Sequence, residues 1–141
     1  MDDSLNNPHE KRGRVAVSVD VDSLYHYYRC RGWEMPPGTN PGAVYEQGLP
    51  GFLDVFEELG VKATFFIVGD DASEKKNTPI IKRIADMGHE IASHSMRHDL
   101  GLHKISPREC EEEIAAAEET IEAASGCRVS GFRAPGWNIS P

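Results

Sequence analysis

Apolar residues along this chain follow two patterns, short β-branched runs and longer segments with helical spacing. The runs RVAVSV (14–19), VKATFFIVG (61–69), HEIAS (89–93) and RVSGF (128–132) have the length and composition of buried strands. Between the later runs, apolar side chains recur every three or four residues, which is typical of helices with one buried face. The pattern therefore predicts four strands that alternate with helices.

The same spacing, together with end signals, predicts three helices. The first covers about residues 44–59, and the second begins near Thr78, where a proline occupies the first turn. The third begins at a capping box made by Ser106 and Glu109, and its apolar face continues for several turns. Each helix ends at a glycine, in order Gly60, Gly88 and Gly126.

The order of strands and helices predicts an α/β fold with right-handed βαβ units and a parallel sheet. A closed parallel barrel takes about eight such units over roughly 250 residues, so four units make about half of one. An open sheet, a half-barrel paired with a second copy, and part of a longer chain all fit. Because the chain stops at NISP (138–141), just after the fourth strand, we expect the N-terminal half of a distorted (β/α) barrel, incomplete within 141 residues.

Two segments lack these periodic patterns. Residues 1–13 are polar and are predicted to be a disordered lead-in, which leaves residues 14–141 as the domain, truncated after its fourth strand. Residues 23–45 mix aromatic residues with Pro, Gly and Asn, and are predicted to form a long loop without regular structure. The following side chains either line a substrate cleft or pack on one another: Tyr25, His26, Tyr27, Tyr28 and Trp33.

Charge and cysteine content narrow the possible partners. The net charge is −8 and the 15 Lys and Arg residues are scattered, which argues against binding to nucleic acid or an anionic membrane and favours a neutral or cationic small substrate. Cys30, Cys110 and Cys127 form no paired motif, so neither a disulfide scaffold nor a structural zinc cluster is expected. Without a recognisable signal peptide or membrane-spanning run, we expect a soluble, cytoplasmic protein.

Residues with the chemistry of a metal site follow three of the predicted strands. Asp20 and Asp22 close the first strand two residues apart, so their side chains project from one face. His94 and His98 follow the third strand at the spacing that places two imidazoles on one face of a helical turn. Two imidazoles and a carboxylate suit Zn²⁺ or a similar divalent ion. Arg133 follows the fourth strand and can hold Asp20 by two hydrogen bonds.

These three segments together resemble the motifs of the polysaccharide deacetylase family of carbohydrate esterases, often called the NodB homology domain. An Asp pair that closes the first strand corresponds to VSVDVD (17–22), H-S/T-x-x-H to HSMRH (94–98), and RxP followed by an aromatic residue to RAPGW (133–137). The resemblance extends over about residues 14–139. It implies a metal-dependent amidohydrolase that removes an N-acetyl or related acyl group from a carbohydrate, or acts on a similar non-peptide C–N bond.

The resemblance also implies roles for the matching residues. Asp20 would be the general base, Arg133 would orient it, and Asp22, His94 and His98 would hold the metal. Zn²⁺ is the first choice, with Co²⁺, Ni²⁺ or another divalent ion as alternatives. The family's commoner pattern has adjacent aspartates, whereas one residue separates them here, which keeps both carboxylates on one face.

The third motif implies the contacts to substrate. A backbone N–H near Gly136 would stabilise the oxyanion, and Pro135 and Trp137 would contact the N-acylated sugar or small amide substrate. The family's later motifs, including the histidine that acts as general acid, would fall past Pro141. We therefore expect these residues to bind metal but to turn over poorly, unless the rest of a longer chain or a second copy completes the barrel.

Two other functions remain open. In a haloacid-dehalogenase-like phosphatase, Asp20 would be the nucleophile, and Asp70 with Asp71 would imitate the later acidic pair that binds Mg²⁺. That function leaves HSMRH and RAPGW unexplained. The second alternative is an inactive carbohydrate-binding remnant that keeps the metal site.

Overall fold

A three-stranded parallel sheet forms the centre of the protein. The structure, a computed structural model, describes residues 14–138, so the predicted lead-in at 1–13 lies outside the described residues. The strands are β1 (Ser18–Val21), β2 (Thr64–Ile67) and β3 (Glu90–Ser93), in that order across the sheet. Parallel strands alternating with helices confirm the predicted α/β fold class.

Helices connect these strands and extend beyond them. In chain order they are α1 (Leu24–Arg29), a π-helical turn (Val44–Gly48) that continues into α2 (Leu49–Leu59), α3 (Gly69–Ser73), α4 (Thr78–Asp86), a 3₁₀ turn (Leu102–Lys104), α5 (Pro107–Ser125) and a second 3₁₀ turn (Pro135–Trp137). The three predicted helices correspond to the π turn with α2, to α4 and to α5. All three predictions are confirmed.

The core lies between the sheet and the apolar faces of α2, α4 and α5. Side chains at helical spacing meet β-branched and aromatic residues of β2 in one cluster, and the following are fully buried: Leu53, Phe65, Ile67, Ile81, Ile84 and Ile121. Burial of each such side chain contributes about 1.5–3 kcal/mol. This packing fixes the sheet, and the carboxyl ends of its strands, against the three long helices.

The ends of α5 follow the predicted signals. Ser106 Oγ accepts a hydrogen bond from the Glu109 backbone N–H, and the Glu109 carboxylate accepts one from the Ser106 N–H at 2.9 Å. At the other end Gly126 adopts φ 74°, a left-handed conformation that costs glycine little. The capping box and the glycine stop are therefore both confirmed.

The prediction of a loop across residues 23–45 is wrong at the start of that range. Helix α1 begins at Leu24, and only two residues separate it from the end of β1. Aromatic residues dominate α1, and they gave no apolar period by which so short a helix could be recognised.

The predicted fourth strand at 128–132 is reduced to a single parallel bridge between Ser93 and Phe132. The Ser93 N–H donates to the Gly131 carbonyl at 2.8 Å, and the Ser93 carbonyl accepts from the Arg133 N–H at 2.9 Å. A Cβ on Gly131 would lie 3.1 Å from the Ala92 Cβ, so glycine permits this close approach to β3. The bridge still delivers Arg133 to the carboxyl end of the sheet.

All three cysteines are unpaired. Cys30 and Cys110 are partly buried, and Cys127 is exposed. Across residues 14–138, no helix is long and apolar enough to cross a membrane.

Candidate metal centre

The carboxyl ends of parallel strands share one edge of the sheet, and the predicted site residues meet there. Asp20 is the third residue of β1 and Asp22 follows that strand directly. His94 follows β3, and Arg133 follows the bridge at Phe132. Segments more than 70 residues apart in sequence therefore contribute to one cluster.

Asp22, His94 and His98 offer three ligand atoms that lie within 4.8 Å of one another. The Asp22 Oδ1 atom lies 3.6 Å from His94 Nε2, and Oδ2 lies 3.3 Å from His98 Nε2. Both histidines are buried, while the Asp22 side chain keeps 24% of its surface exposed. The arrangement gives two imidazole nitrogens and one carboxylate that face a common point.

The orientation of His94 is set by its second ring nitrogen. His94 Nδ1 lies 2.7 Å from the Arg133 carbonyl oxygen, which can only accept, so Nδ1 carries the proton and Nε2 presents its lone pair toward Asp22. Burial lowers the pKa of His94, against the opposing effect of the Asp22 carboxylate and of this hydrogen bond. The ring is therefore neutral at pH 7, the form in which imidazole binds a metal.

His98 reaches the cluster through a loop, so the prediction of a helical turn for HSMRH is wrong. Ser95 and His98 both have positive φ, at 66° and 54°. Ser95 Oγ accepts a hydrogen bond from the His98 backbone N–H at 3.0 Å, which closes a tight turn. The two imidazoles nevertheless lie side by side, with ring centroids 5.0 Å apart.

One unsatisfied carboxylate oxygen of the cluster fits a bound cation. Asp22 Oδ1 is buried and has no hydrogen-bond partner within the described part of the chain. His98 Nδ1 is also buried without a partner, but Nε2 is the ring nitrogen that faces Asp22. Burial opposes ionisation of Asp22, but contact with His98 and the other nearby imidazoles outweighs it, and the pKa of Asp22 is lowered. An ionised carboxylate and neutral imidazoles are the protonation states that a divalent ion requires.

Asp20 and Arg133 form an ion pair beside these ligands. Arg133 Nη1 donates to Asp20 Oδ1, whereas Nη2 donates to Ser18 Oγ at 2.9 Å. The guanidinium thus holds Asp20 through one oxygen, not through the two hydrogen bonds expected from the sequence. The Arg133 guanidinium also stacks between aromatic rings, 3.9 Å from the Phe66 centroid and 4.5 Å from that of Trp137.

A cavity of about 260 Å³ opens onto the cluster. Six of the predicted site residues line it: Asp20, Asp22, His94, His98, Gly136 and Trp137. Trp137 is 69% exposed, and Gly136 has a left-handed φ of 62°. Pro135 is buried and is not part of the cavity wall.

The sequence left open whether the aromatic residues of 23–45 line a substrate cleft or pack on one another, and in the structure they do both. Tyr27 lines the cavity, whereas Tyr28 and Trp33 pack on it and on each other, with ring centroids 5.7–6.4 Å apart. His26 is 1% exposed, with its Nε2 atom 3.4 Å from Asp71 Oδ1. It therefore lies behind the cavity wall.

The sequence missed the place of Asp71 beside the site. Its Oδ2 atom accepts a hydrogen bond at 3.0 Å from the backbone N–H of Ser23, the residue that follows Asp22. Asp71 is buried between Ser23 and His26, so the acidic pair proposed for a phosphatase gains no support from this geometry. Only its position just after a strand end could have drawn attention to it.

Comparisons with known sequences relate this chain to deacetylases. A model of the polysaccharide deacetylase family matches residues 38–140. A peptidoglycan deacetylase from Helicobacter pylori is 28% identical over 128 residues, which cover 89% of this chain and 43% of that protein. A chitooligosaccharide deacetylase from Sinorhizobium fredii is 37% identical over 87 residues, which cover 61% of this chain and 39% of that protein.

Solved structures give the same result for the fold. The Xyl-CE4 domain of a multidomain xylanase from the hindgut metagenome of Trinervitermes trinervoides matches with TM-score 0.66 and 26% identity, over 89% of this chain and 49% of that chain. Peptidoglycan deacetylase PdaC from Bacillus subtilis matches with TM-score 0.64 and 25% identity, over 89% and 50%. The chain spans 43% or less of the length of the two curated relatives. Because the family model matches most of its residues, this chain belongs to the polysaccharide deacetylase family.

Proposed function

We propose that this protein is a metal-dependent deacetylase that hydrolyses an N-acetyl or related acyl group on a carbohydrate. The observation that carries the proposal is the convergence of Asp22, His94 and His98 beside the Asp20–Arg133 pair in one cavity. Relatives named peptidoglycan deacetylase and chitooligosaccharide deacetylase support an N-acetylated sugar as the substrate class.

The proposed metal ligands are Asp22, His94 and His98. Two imidazoles and a carboxylate suit Zn²⁺, Co²⁺ and Ni²⁺, and Zn²⁺ is the ion proposed first. When bound, such an ion supplies a Lewis acid that polarises the amide carbonyl and lowers the pKa of water. His94 contributes a lone pair aimed by its hydrogen bond to the Arg133 carbonyl. His94 and His98 are buried, whereas Asp22 stays partly exposed on the cavity side.

Asp20 is the proposed general base. Its side chain leaves the same face of β1 as Asp22, and Arg133 holds its Oδ1 atom in place. The second carboxylate oxygen then takes a proton from the attacking water, while the water oxygen forms a bond to the carbonyl carbon. Cleavage of the C–N bond releases an amine and a carboxylate such as acetate. The resemblance to the polysaccharide deacetylase family implies that the proton donor for the amine belongs to a motif beyond Pro141.

The turn at RAPGW supplies the proposed substrate contacts. A backbone N–H at Gly136 would donate to the developing oxyanion, which is most effective in a cavity with little water. Trp137 presents an exposed aromatic face on which a sugar ring can stack. Because Pro135 is buried, we assign it to shaping this turn and not to touching the substrate.

We also propose a cytoplasmic location and a barrel that is completed outside these residues. Three free cysteines support a reducing compartment such as the cytoplasm. Within residues 14–138, β1 pairs only with β2, so an open sheet edge supports completion of the barrel by further chain or by a second copy.

The proposal is tested by measuring acetate release from N-acetylglucosamine oligomers with the zinc-loaded protein. Asp20→Asn is expected to lower kcat about 10²–10⁴-fold while the zinc content stays the same, because only the proton acceptor is lost. Asp54→Asn is the matched control, since Asp54 is exposed and pairs with Arg83 at 2.7 Å away from the cavity. A wild-type protein assayed together with the chain that completes the barrel, and that binds one zinc ion but releases no acetate, would instead support the inactive remnant.

A further inference from the structure

A guanidinium lies at the mouth of the same cavity and takes no part in the proposed reaction. Arg31 lines the cavity together with Asp22 and the two histidines. Its guanidinium carbon lies 3.8 Å from the centroid of the Tyr27 ring, and Nη1 donates to the Tyr27 carbonyl at 2.9 Å. Stacking and this hydrogen bond hold the planar group against α1, so less side-chain freedom remains to be lost when a ligand binds.

Arg31 forms no ion pair with any carboxylate of residues 14–138. Two other arginines near the site face carboxylates: Arg133 binds Asp20, and the Arg97 guanidinium lies 3.8 Å from Glu113. Arg29 donates to the Arg97 carbonyl and does not line this cavity. The remaining donors of Arg31 are therefore available to a ligand in the cavity. Among the described residues that line the cavity, Arg31 carries the only positive charge without a carboxylate partner.

The local charge of the cavity differs from that of the whole chain. The net charge of −8 favoured a neutral or cationic substrate, but the acidic groups in the wall have partners of their own. Asp20 is paired with Arg133, and the divalent ion proposed to bind Asp22, His94 and His98 would balance the Asp22 carboxylate. An anionic group on the substrate would therefore meet Arg31 without facing an unpaired carboxylate of these two residues.

We propose that Arg31 is a specificity-determining residue that binds a carboxylate on the N-acylated substrate, so that anionic N-acetylated sugars are preferred to neutral ones. The inference rests on the proposed function. A guanidinium presents parallel N–H donors that match the two oxygens of a carboxylate. At about 260 Å³ the cavity is small for a ligand site, which suits one sugar ring with one charged substituent.

The test compares two probes that differ in charge, N-acetylmuramic acid and its methyl ester. The wild-type protein is expected to show about tenfold higher kcat/KM for the acid, since charge-assisted hydrogen bonds are the stronger ones. Arg31→Gln is expected to lower kcat/KM for the acid to the value for the ester, mainly through KM, and to leave the ester unchanged. Arg31→Lys restores part of the preference, and higher salt reduces it.

Arg128→Gln is the control, because it removes the same charge from an exposed residue that does not line the cavity. Equal losses for acid and ester in Arg31→Gln, or no preference in the wild type, would overturn the inference.

If the wild type hydrolyses neither probe, the proposed function fails, and binding of both probes to zinc-loaded protein is measured by equilibrium dialysis. A preference for the acid that Arg31→Gln abolishes supports the inference, and equal binding overturns it.

Discussion

One buried carboxylate connects the end of β1 to the segment that follows β2. Asp71 Oδ2 accepts from the Ser23 N–H at 3.0 Å, and the Asp71 carbonyl accepts from Asn77 Nδ2 at 2.8 Å. Burial of a carboxylate is costly unless it is hydrogen bonded, so these contacts define where Asp71 can lie. Because Ser23 follows Asp22, Asp71 restrains the backbone that carries the proposed ligand.

The same carboxylate affects a neighbouring phenol. Burial and the carboxylates of Asp71 and Asp22 raise the pKa of Tyr45, which stays neutral.

We predict that Asp71→Ala weakens zinc binding about 10–100-fold, as is usual when a group that orients a ligand is removed. It should also lower the free energy of unfolding by about 1–3 kcal/mol, since the Ser23 N–H loses its acceptor. Asp71→Asn keeps an oxygen acceptor and should lose less. Zinc affinity is measured by competition with a chelating dye, and stability by urea unfolding of the metal-free protein.

Asp70→Ala provides the matched control for Asp71. Asp70 is the preceding residue of α3, and its backbone N–H donates to the Met96 carbonyl at 2.8 Å, a contact that survives removal of the side chain. Equal losses of zinc affinity in the two alanine variants would contradict the positioning effect assigned to Asp71.

At the scale of elements, the histidine loop is held from two sides by helices. At the start of α3, the Gly69 N–H donates to the Ser95 carbonyl at 3.0 Å. On the other side, Glu113 of α5 accepts from the Arg97 N–H at 2.8 Å. A Cβ on Gly69 would lie 2.4 Å from Met96 Sδ, so glycine allows α3 and the loop to approach closely. The loop therefore depends on the packing of α3 and α5.

The sequence predicted those elements whose signals are local. The capping box at Ser106 and the glycine at 126 define α5 without reference to the rest of the chain. The HSMRH turn was predicted from spacing alone, but Ser95 and His98 have positive φ, in a loop that hydrogen bonds to α3 and α5. The strand predicted at 128–132 has suitable β-formers, yet only the edge beside Ser93 pairs with it. Tertiary contacts thus decided the conformation of these two segments.

The capping box gives a prediction for α5. Ser106→Ala should lower the free energy of unfolding by about 0.5–2 kcal/mol, because the Glu109 N–H loses its side-chain acceptor. Urea unfolding followed by circular dichroism measures the change. Ser130→Ala is the control, an exposed serine outside regular structure whose substitution should stay within about 0.5 kcal/mol. The cap has no such effect if both variants unfold at the same urea concentration as the wild type.

At the scale of the whole molecule, the candidate site joins segments that are distant in sequence. Asp22 follows β1, His94 follows β3, and the Arg133 carbonyl that orients His94 belongs to the end of the described chain. The sequence predicted this meeting correctly because parallel strands place their carboxyl ends at one edge. The same rule says nothing of what covers the free edge of β1, because that edge pairs with no other described strand.

Because only the folded chain brings these ligands together, zinc is expected to stabilise the fold. The free energy of unfolding should rise by about 2.7 kcal/mol when free zinc is 100 times its Kd. His98→Ala should remove most of this increase, and Mg²⁺ should produce little, because it prefers oxygen ligands. Thermal unfolding with and without each ion measures the shift. An equal zinc-induced rise in Tm for wild type and His98→Ala would place the ion elsewhere, since loss of one of three ligands must weaken a site built from Asp22, His94 and His98.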